Sequence, residues 1–271
     1  ENAVYLPGVQ VPREIQWTSD PVTVSDADLV VVVTPSRFYR SSLEAHKPHL
    51  SEKTLIVSAT KGLDEATHQR MSEVAYDVLG RNIAILSGPS HAEEVARGIP
   101  TAVTIASENA AEIQQAFMGK SFRVYTSDDP LGVEIGGTLK NVVAVAAGIL
   151  DGMGLGDNTK AALMTRGLAE ITRLGVCLGA KPETFSGLSG IGDLIVTCAS
   201  RHSRNRSVGE RLGKGETLVH LLGQLKQLFR FHAVDLIDRQ RDGTALTNLS
   251  QLLQDRLDSL RDPAIGFDHQ H

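Results

Sequence analysis

The sequence predicts an α/β fold in which a doubly wound parallel sheet, incomplete at its amino end, is followed by an all-helical domain. Three observations lead there. Short, continuous β-branched runs recur through the first 128 residues, stretches with helical spacing separate them, and the strand signals stop from about Pro130 onward. Unbroken apolar runs mark strands covered on both faces, and regular alternation of strand and helix marks parallel crossovers.

The elements follow in order. DLVVVVTPS (28–36), TLIVSATKG (54–62) and IAILSGPS (83–90) read as strands that end in turn residues, with FYRSSLEAHKPHL and THQRMSEVAYDVLG as the helices between them. PTAVTIAS (100–107) and FRVYTSDD (122–129) add two strands around the helix ENAAEIQQAFMG. Helices are then predicted over 131–150, 158–178, 206–228 and 246–260. The domain boundary falls near Asp128 to Pro130, which gives domains 1–128 and 129–271. Gly152–Gly156 and Gly187–Gly192 follow no strand and read as tight inter-helix turns.

Composition narrows the function. The chain has 271 residues, 41% of them hydrophobic, and a formal charge of −5. That balance offers no long-range attraction to nucleic acid or to an anionic membrane, so an anionic ligand must be held by local clusters of Lys and Arg. Cys177 and Cys198 make no disulfide framework and lack metal-site spacing, which fits a reducing cytoplasm. The apolar run from Val142 to Leu150 is less than half of the ~20 residues that cross a bilayer. No signal peptide is expected. The chain opens on Glu1 rather than Met, which reads as a start inside a longer protein.

In open parallel sheets ligands bind beyond the carboxyl ends of the strands. Thr34-Pro35-Ser36, Lys61-Gly62 and Ser87-Gly88-Pro89-Ser90 occupy those ends. Lys61 is a cation one turn past a buried strand, where a plain surface lysine is the alternative. Ser90 with Glu93 fits a capping box, and the same free NH groups suit a phosphate or hydroxyl. In the helical half, EIGGTLKNVVAVAAGIL (134–150) places Lys140 among small and apolar residues. Its stem is expected to lie over Gly136 and Gly137 in an open groove, with snorkelling to solvent as the alternative. A buried amine is costly to charge and so serves as a base near neutral pH. Asp193 follows a glycine turn, where it is either a helix cap or a site residue. SRHSRNRS (200–207) gathers Arg201, Arg204 and Arg206 with Ser203 and Asn205, the composition of a pocket for one phosphate or of a solvated charge run.

The segments NAVYLPGV, VVVVTPS, SATKGL, LSGPSHAEEVARGIPTAV, GKSFRVYTSDDPLGVEIGGTLKNVVAVAAGILDGMGLGDNTKAALMTRGLAE and GLSGIGDLIVTCASRHSRNR, in this order, resemble the bacterial-type NAD(P)-dependent sn-glycerol-3-phosphate dehydrogenase family. The resemblance runs from about Asn2 to Leu218. It implies a cytoplasmic homodimeric enzyme with a Rossmann-type domain, which interconverts sn-glycerol 3-phosphate and dihydroxyacetone phosphate for phospholipid synthesis. NAD or NADP would be its cofactor and a small phosphate its substrate, with no metal, nucleic acid or membrane. By motif match Lys140 and Asp193 are the implied catalytic residues. Lys61, Gly88, Ser90, Ser203, Arg204 and Asn205 join them at the substrate, while Lys61, Ala92 and Arg204 face the cofactor. A hydroxy-acid dehydrogenase is disfavoured because no second basic anchor for a carboxylate is present. A catalytically silent NAD(P)-binding or interaction protein derived from this fold is the alternative, against which stands the joint retention of Lys61, Lys140, Asp193 and Arg204.

Two departures from the family pattern stand out. The GxGxxG turn and its flanking strands are missing upstream of Asn2, leaving the segment around Ile15 to Trp17 without a neighbour. After about Leu218 the stretch VHLLGQLKQLFRFHAVDLIDRQRDGTALTNLSQLL carries no family motif, and His269-Gln270-His271 reads as a loose terminus. This polypeptide alone is therefore expected to bind NAD(P) weakly or not at all. Cofactor titration checks it: a micromolar dissociation constant with normal turnover contradicts the expectation.

Overall fold

The computed structural model describes residues 6 to 217 and residue 219. The helix expected over 246–260 and the terminal histidines lie outside the described residues. The elements below belong to one compact unit, Glu1–Glu216.

Five strands form one sheet in sequential order: β1 (Leu29–Val32), β2 (Leu55–Ser58), β3 (Ala84–Ser87), β4 (Thr101–Ala106) and β5 (Phe122–Ser127). β1 to β3 are parallel, with Leu29 opposite Leu55 and Val57 opposite Ala84, and β4 and β5 are parallel to each other. The parallel-dominated, doubly wound sheet holds with one reversal, since β4 runs antiparallel to β3 with Ile85 opposite Ala106. The cause lies in the connection. Between Ser87 and Thr101 the chain makes only the four-residue helix α3 (Ala92–Val95), too little for a helical crossover back to the start of the sheet. Ile15 and Trp17 are exposed and belong to no strand.

Side chains alternate across the sheet and separate two cores. Val32, Ile56 and Ile85 pack with Tyr39 and Leu43 of α1 (Ser36–His46) and with Met71, Val74 and Val78 of α2 (Met71–Leu79). Val57, Ala84, Leu86, Val103 and Ile105 pack with Ala110 and Ile113 of α4 (Ala110–Phe117) on the other side. The reversal at β4 accounts for this: β4 and β5 both run opposite to β1–β3, so the right-handed crossover between them carries its helix to the opposite face.

After Ser127 every regular element among the described residues is helical. α5 (Pro130–Gly152) starts where the Asp129 carboxylate accepts a bond from Gly132 N at 2.9 Å and Pro130 supplies a preset first turn. By length and composition α5 is apolar enough to cross a membrane, but its apolarity is spent inside the protein. Ile135, Val143, Ala144 and Ala147 share a core with Ile171 of α6 (Gly156–Cys177), Phe185, and Leu194 and Cys198 of α7 (Asp193–Ala199). The 152–156 glycines do form the turn between α5 and α6. The second glycine cluster is no simple turn: Leu188–Gly192 winds as one π-helical turn straight into α7.

The last described helix, α8 (Arg204–Gly213), is shorter than the 206–228 stretch expected. It crosses α5 backbone against backbone. A Cβ on Gly148 would lie 2.0 Å from Arg206 O, one on Gly152 2.1 Å from Glu210 O, one on Gly209 2.0 Å from Val145 O, and one on Gly213 2.3 Å from Ile149 O. Two Gly-x-x-x-Gly pairs thus set the spacing between the helix that carries Lys140 and the one that begins with Arg204. Gly148→Ala or Gly209→Ala is expected to cost about 1–3 kcal/mol through overpacking. Urea denaturation checks this against Gly119→Ala, whose Cβ would meet nothing nearer than 3.9 Å and which should stay near wild type.

Candidate active site

The carboxyl ends of β2 and β3 face the middle of α5 and the start of α7, and the expected site residues converge there. Thr60 holds the end of β2 against β1, its hydroxyl donating to Thr34 O at 2.8 Å. The next residue, Lys61, extends over α7, where its Nζ donates to Asp193 Oδ2 at 2.5 Å and to Gly88 O at 3.2 Å. Lys140 reaches the same carboxylate from α5: its Nζ donates to Asp193 Oδ1 and, at 2.8 Å, to Thr197 Oγ1. Asp193 is 1% exposed and Lys140 6% exposed, so one carboxylate with a lysine on each oxygen sits where water is scarce.

Backbone geometry supplies this arrangement. Asp193 opens α7 directly after the π turn, and Thr197 follows one helical turn later, so both point to α5. The Thr197 hydroxyl donates to Asp193 O at 2.6 Å, which leaves its lone pairs for Lys140. The glycines before Lys140 allow close packing and do not form the open groove expected from sequence. A Cβ on Gly136 would lie 2.5 Å from Ser189 O of the π turn, and one on Gly137 would lie 2.3 Å from Ser87 Oγ. The space over the lysine stem is filled by neighbouring chain.

The electrostatic balance is two ammonium groups against one carboxylate. Burial pushes the Lys140 amine down to about 8; the Lys61 charge adds to that fall, and Asp193 opposes it by attraction and hydrogen bonding. Burial pushes the Cys198 thiol up to about 11, so the nearby sulfur is inert near neutral pH.

The remaining expected residues form a second ring. Gly88 is buried at φ +141, where a side chain would be strained and would press on Val103, and its carbonyl accepts from both Lys61 and Ser90 Oγ. Ser90 does not cap α3; His91 holds that position. Ala92, the first residue of α3, is exposed. Ser203 is buried and caps α8, accepting from Arg206 N at 3.2 Å, so its O–H remains a donor. Asn205 donates to Asn141 Oδ1 at 2.8 Å, which ties α8 to the residue beside Lys140. Arg204 is exposed at the start of α8, with no ion pair among the described residues. Arg206, grouped with it by sequence, is instead a structural cation bonded to Asp151 at 2.7 Å. The rings of His91 and His202 stand 6.2 Å apart and bring the β3 loop up to the loop before α8.

Thr197 and Asn141 were missed by sequence reasoning. Thr197 was signalled by its i, i+4 spacing from Asp193, whereas nothing local marked Asn141. No cluster of metal-binding side chains occurs among the described residues. At the same carboxyl edge Thr34 Oγ1 and His91 Nε2 are buried without hydrogen-bond partners among the described residues, and Arg204, exposed at the start of α8, has no ion pair among them. These unused groups fit one end of a polar ligand such as a dinucleotide.

The chain matches two family models, NAD-dependent glycerol-3-phosphate dehydrogenase N-terminus over residues 1–113 and NAD-dependent glycerol-3-phosphate dehydrogenase C-terminus over residues 129–234. It is 54% identical over 226 residues to the glycerol-3-phosphate dehydrogenase [NAD(P)+] of Moorella thermoacetica, covering 82% of this chain and 68% of that one. The enzyme of the same name from Pelotomaculum thermopropionicum is 51% identical over 236 residues, with 84% and 68% covered. The crystal structure of glycerol-3-phosphate dehydrogenase from Coxiella burnetii superposes with a TM-score of 0.78 at 39% identity, over 82% of this chain and 69% of that one.

Because the geometry sets Asp193 and Lys61 against each other, exchanging either should move Lys140 in opposite directions. Lys61→Met is expected to raise the Lys140 titration midpoint above about 8 and Asp193→Asn to lower it below. A 13C NMR titration of the Lys140 Cε resonance checks both signs.

Proposed function

The chain belongs to the NAD-dependent glycerol-3-phosphate dehydrogenase family, and from that membership we propose that it interconverts sn-glycerol 3-phosphate and dihydroxyacetone phosphate in glycerophospholipid synthesis. The observation that carries the reading is the buried carboxylate of Asp193 with Lys140 on one oxygen and Lys61 on the other. Lys61, Ala92 and Arg204 would hold NAD or NADP, which would supply the exchange of hydride with substrate C2.

Lys140 handles the proton. With its amine pushed down to about 8, a usable fraction is neutral near physiological pH, and it takes the proton of the C2 hydroxyl during oxidation. In reduction the ammonium returns that proton to the carbonyl oxygen. Asp193 and Thr197 accept bonds from the Lys140 amine and keep it aimed through both states. The substrate phosphate is met by Arg204, the Ser203 hydroxyl and Asn205 at the head of α8, with Lys61, Gly88 and Ser90 lining the sheet side. Lys61 and Arg204 offset phosphate charge, and Lys61 also disfavours early protonation of Lys140.

Residues 1–128 serve as the cofactor domain and 129–271 as the substrate and catalytic domain in this reading, which also includes a homodimer in the cytoplasm. Burying the Lys140 amine and the Asp193 carboxylate, with the half-buried Lys61 beside them, costs several kcal/mol that hydrophobic packing would avoid. A silent scaffold gains nothing from that expense, whereas a base near neutral pH requires it.

Oxidation of glycerol 3-phosphate by a full-length chain that carries the dinucleotide-binding segment tests the proposal. The kcat/KM is expected to rise with pH through about 8, as Lys140 loses its proton. Lys140→Ala should lower kcat by about 10²–10⁴-fold. Wild-type turnover by Lys140→Ala contradicts the assignment.

A further inference from the structure

The segment between β2 and α2 closes on itself. Leu63 and Arg70 form an antiparallel bridge, and Asp64 N donates to Gln69 O at 2.9 Å. The Asp64 carboxylate accepts from the Thr67 backbone and hydroxyl at 2.9 and 2.8 Å. Residues 63 to 70 are therefore a loop whose two ends meet, and its shape is held by its own hydrogen bonds.

Both ends of that loop are fastened to one stripe of α5. At the leading end Gly62 N donates to Thr138 Oγ1 at 3.3 Å. At the trailing end Glu134, only 4% exposed, accepts from Arg70 Nη1 at 2.8 Å, from Ser72 N at 2.8 Å and from Ser72 Oγ at 2.6 Å. Glu134 and Thr138 are four residues apart and so adjacent on the helix surface. Lys61 immediately precedes the leading anchor. The loop that carries one lysine is thus clamped to the helix that carries the other.

We propose that Glu134 is a positioning residue: by holding Arg70 and Ser72 it fixes the 62–70 loop on α5 and so sets where the Lys61 amine stands relative to Lys140 across Asp193. The proposal deepens the dehydrogenase reading and takes its functional meaning from it. Glu134 itself pairs with Arg70, acts electrostatically on the Tyr39 hydroxyl, and shares no hydrogen bond or ion pair with either lysine among the described residues. The charged and titratable groups that face Lys140 are Lys61 from the loop and Asp193 and Cys198 from α7. Of these only Lys61 depends on the clamp. A loosened loop withdraws a positive charge from Lys140 and leaves Asp193 to it alone, and both changes make the amine easier to protonate.

The test is the Lys140 titration midpoint, read from its 13Cε resonance in wild type, Glu134→Gln, Lys61→Met and the double variant. Glu134→Gln is expected to raise the midpoint by about half a pH unit or more, in the same direction as Lys61→Met. The double variant should shift no further than Lys61→Met alone, because Glu134 acts through Lys61. An unchanged midpoint in Glu134→Gln, or additive shifts in the double variant, overturns the proposal. Where Glu134→Gln loses its cooperative unfolding transition, Arg70→Gln removes the same ion pair, leaves the bonds to Ser72, and is judged by the same criteria. Oxidation of glycerol 3-phosphate by the full-length wild type is assayed in parallel. Its absence refutes the proposed reaction, while the titration alone decides the role of Glu134.

Discussion

One carboxylate organises this protein. Asp193 stands at the junction of the sheet's carboxyl edge, the middle of α5 and the start of α7, and its two oxygens are taken by lysines from two different elements. Neither lysine alone explains the pair. A buried Lys140 without Asp193 would shed its proton more readily still, and a buried Asp193 with one lysine would form an ordinary ion pair. The odd cation makes the cluster reactive, because it leaves Lys140 between attraction to Asp193 and repulsion from Lys61.

The rest of the structure holds those three groups at fixed separation. α5 is the common spine: Asp129 caps its start and Glu134 clamps it to α2. Gly136 and Gly137 let the π turn and β3 press close, and Gly148 and Gly152 seat α8. These contacts follow one another along a single helix, so small residues recur along it. The π turn contributes in the same sense, since its extra residue directs Asp193 and Thr197 back onto α5. Rigidity suits a site whose base depends on a charge a few ångströms away, as a small shift of Lys61 changes the proton affinity of Lys140 directly.

Much of this could be read from residues alone. The β-branched runs located all five strands within a few positions, and the apolar surroundings of Lys140 signalled its burial. The direction of β4 was not legible, because PTAVTIAS has the composition of a covered strand whichever way it runs; the short connection before it was the available clue. The glycines of α5 announced close packing without naming the partner, and the reading of an open groove missed that Ser189 and Ser87 would fill it. SRHSRNRS was read as one cationic cluster. Folding divides it, because helical spacing turns Arg206 inward to Asp151 while Arg204 stays exposed. Local sequence reports what each residue is suited to, whereas the assignment of partners waits on the packing of elements distant in the chain.

A crystal structure with glycerol 3-phosphate bound examines the central claim most directly. The account requires the C2 oxygen within about 3 Å of Lys140 Nζ, the Asp193 bridge intact behind it, and the phosphate beside Arg204 and Asn205. A substrate bound with its C2 oxygen away from Lys140, while that amine stays enclosed by Asp193 and Thr197, would contradict it.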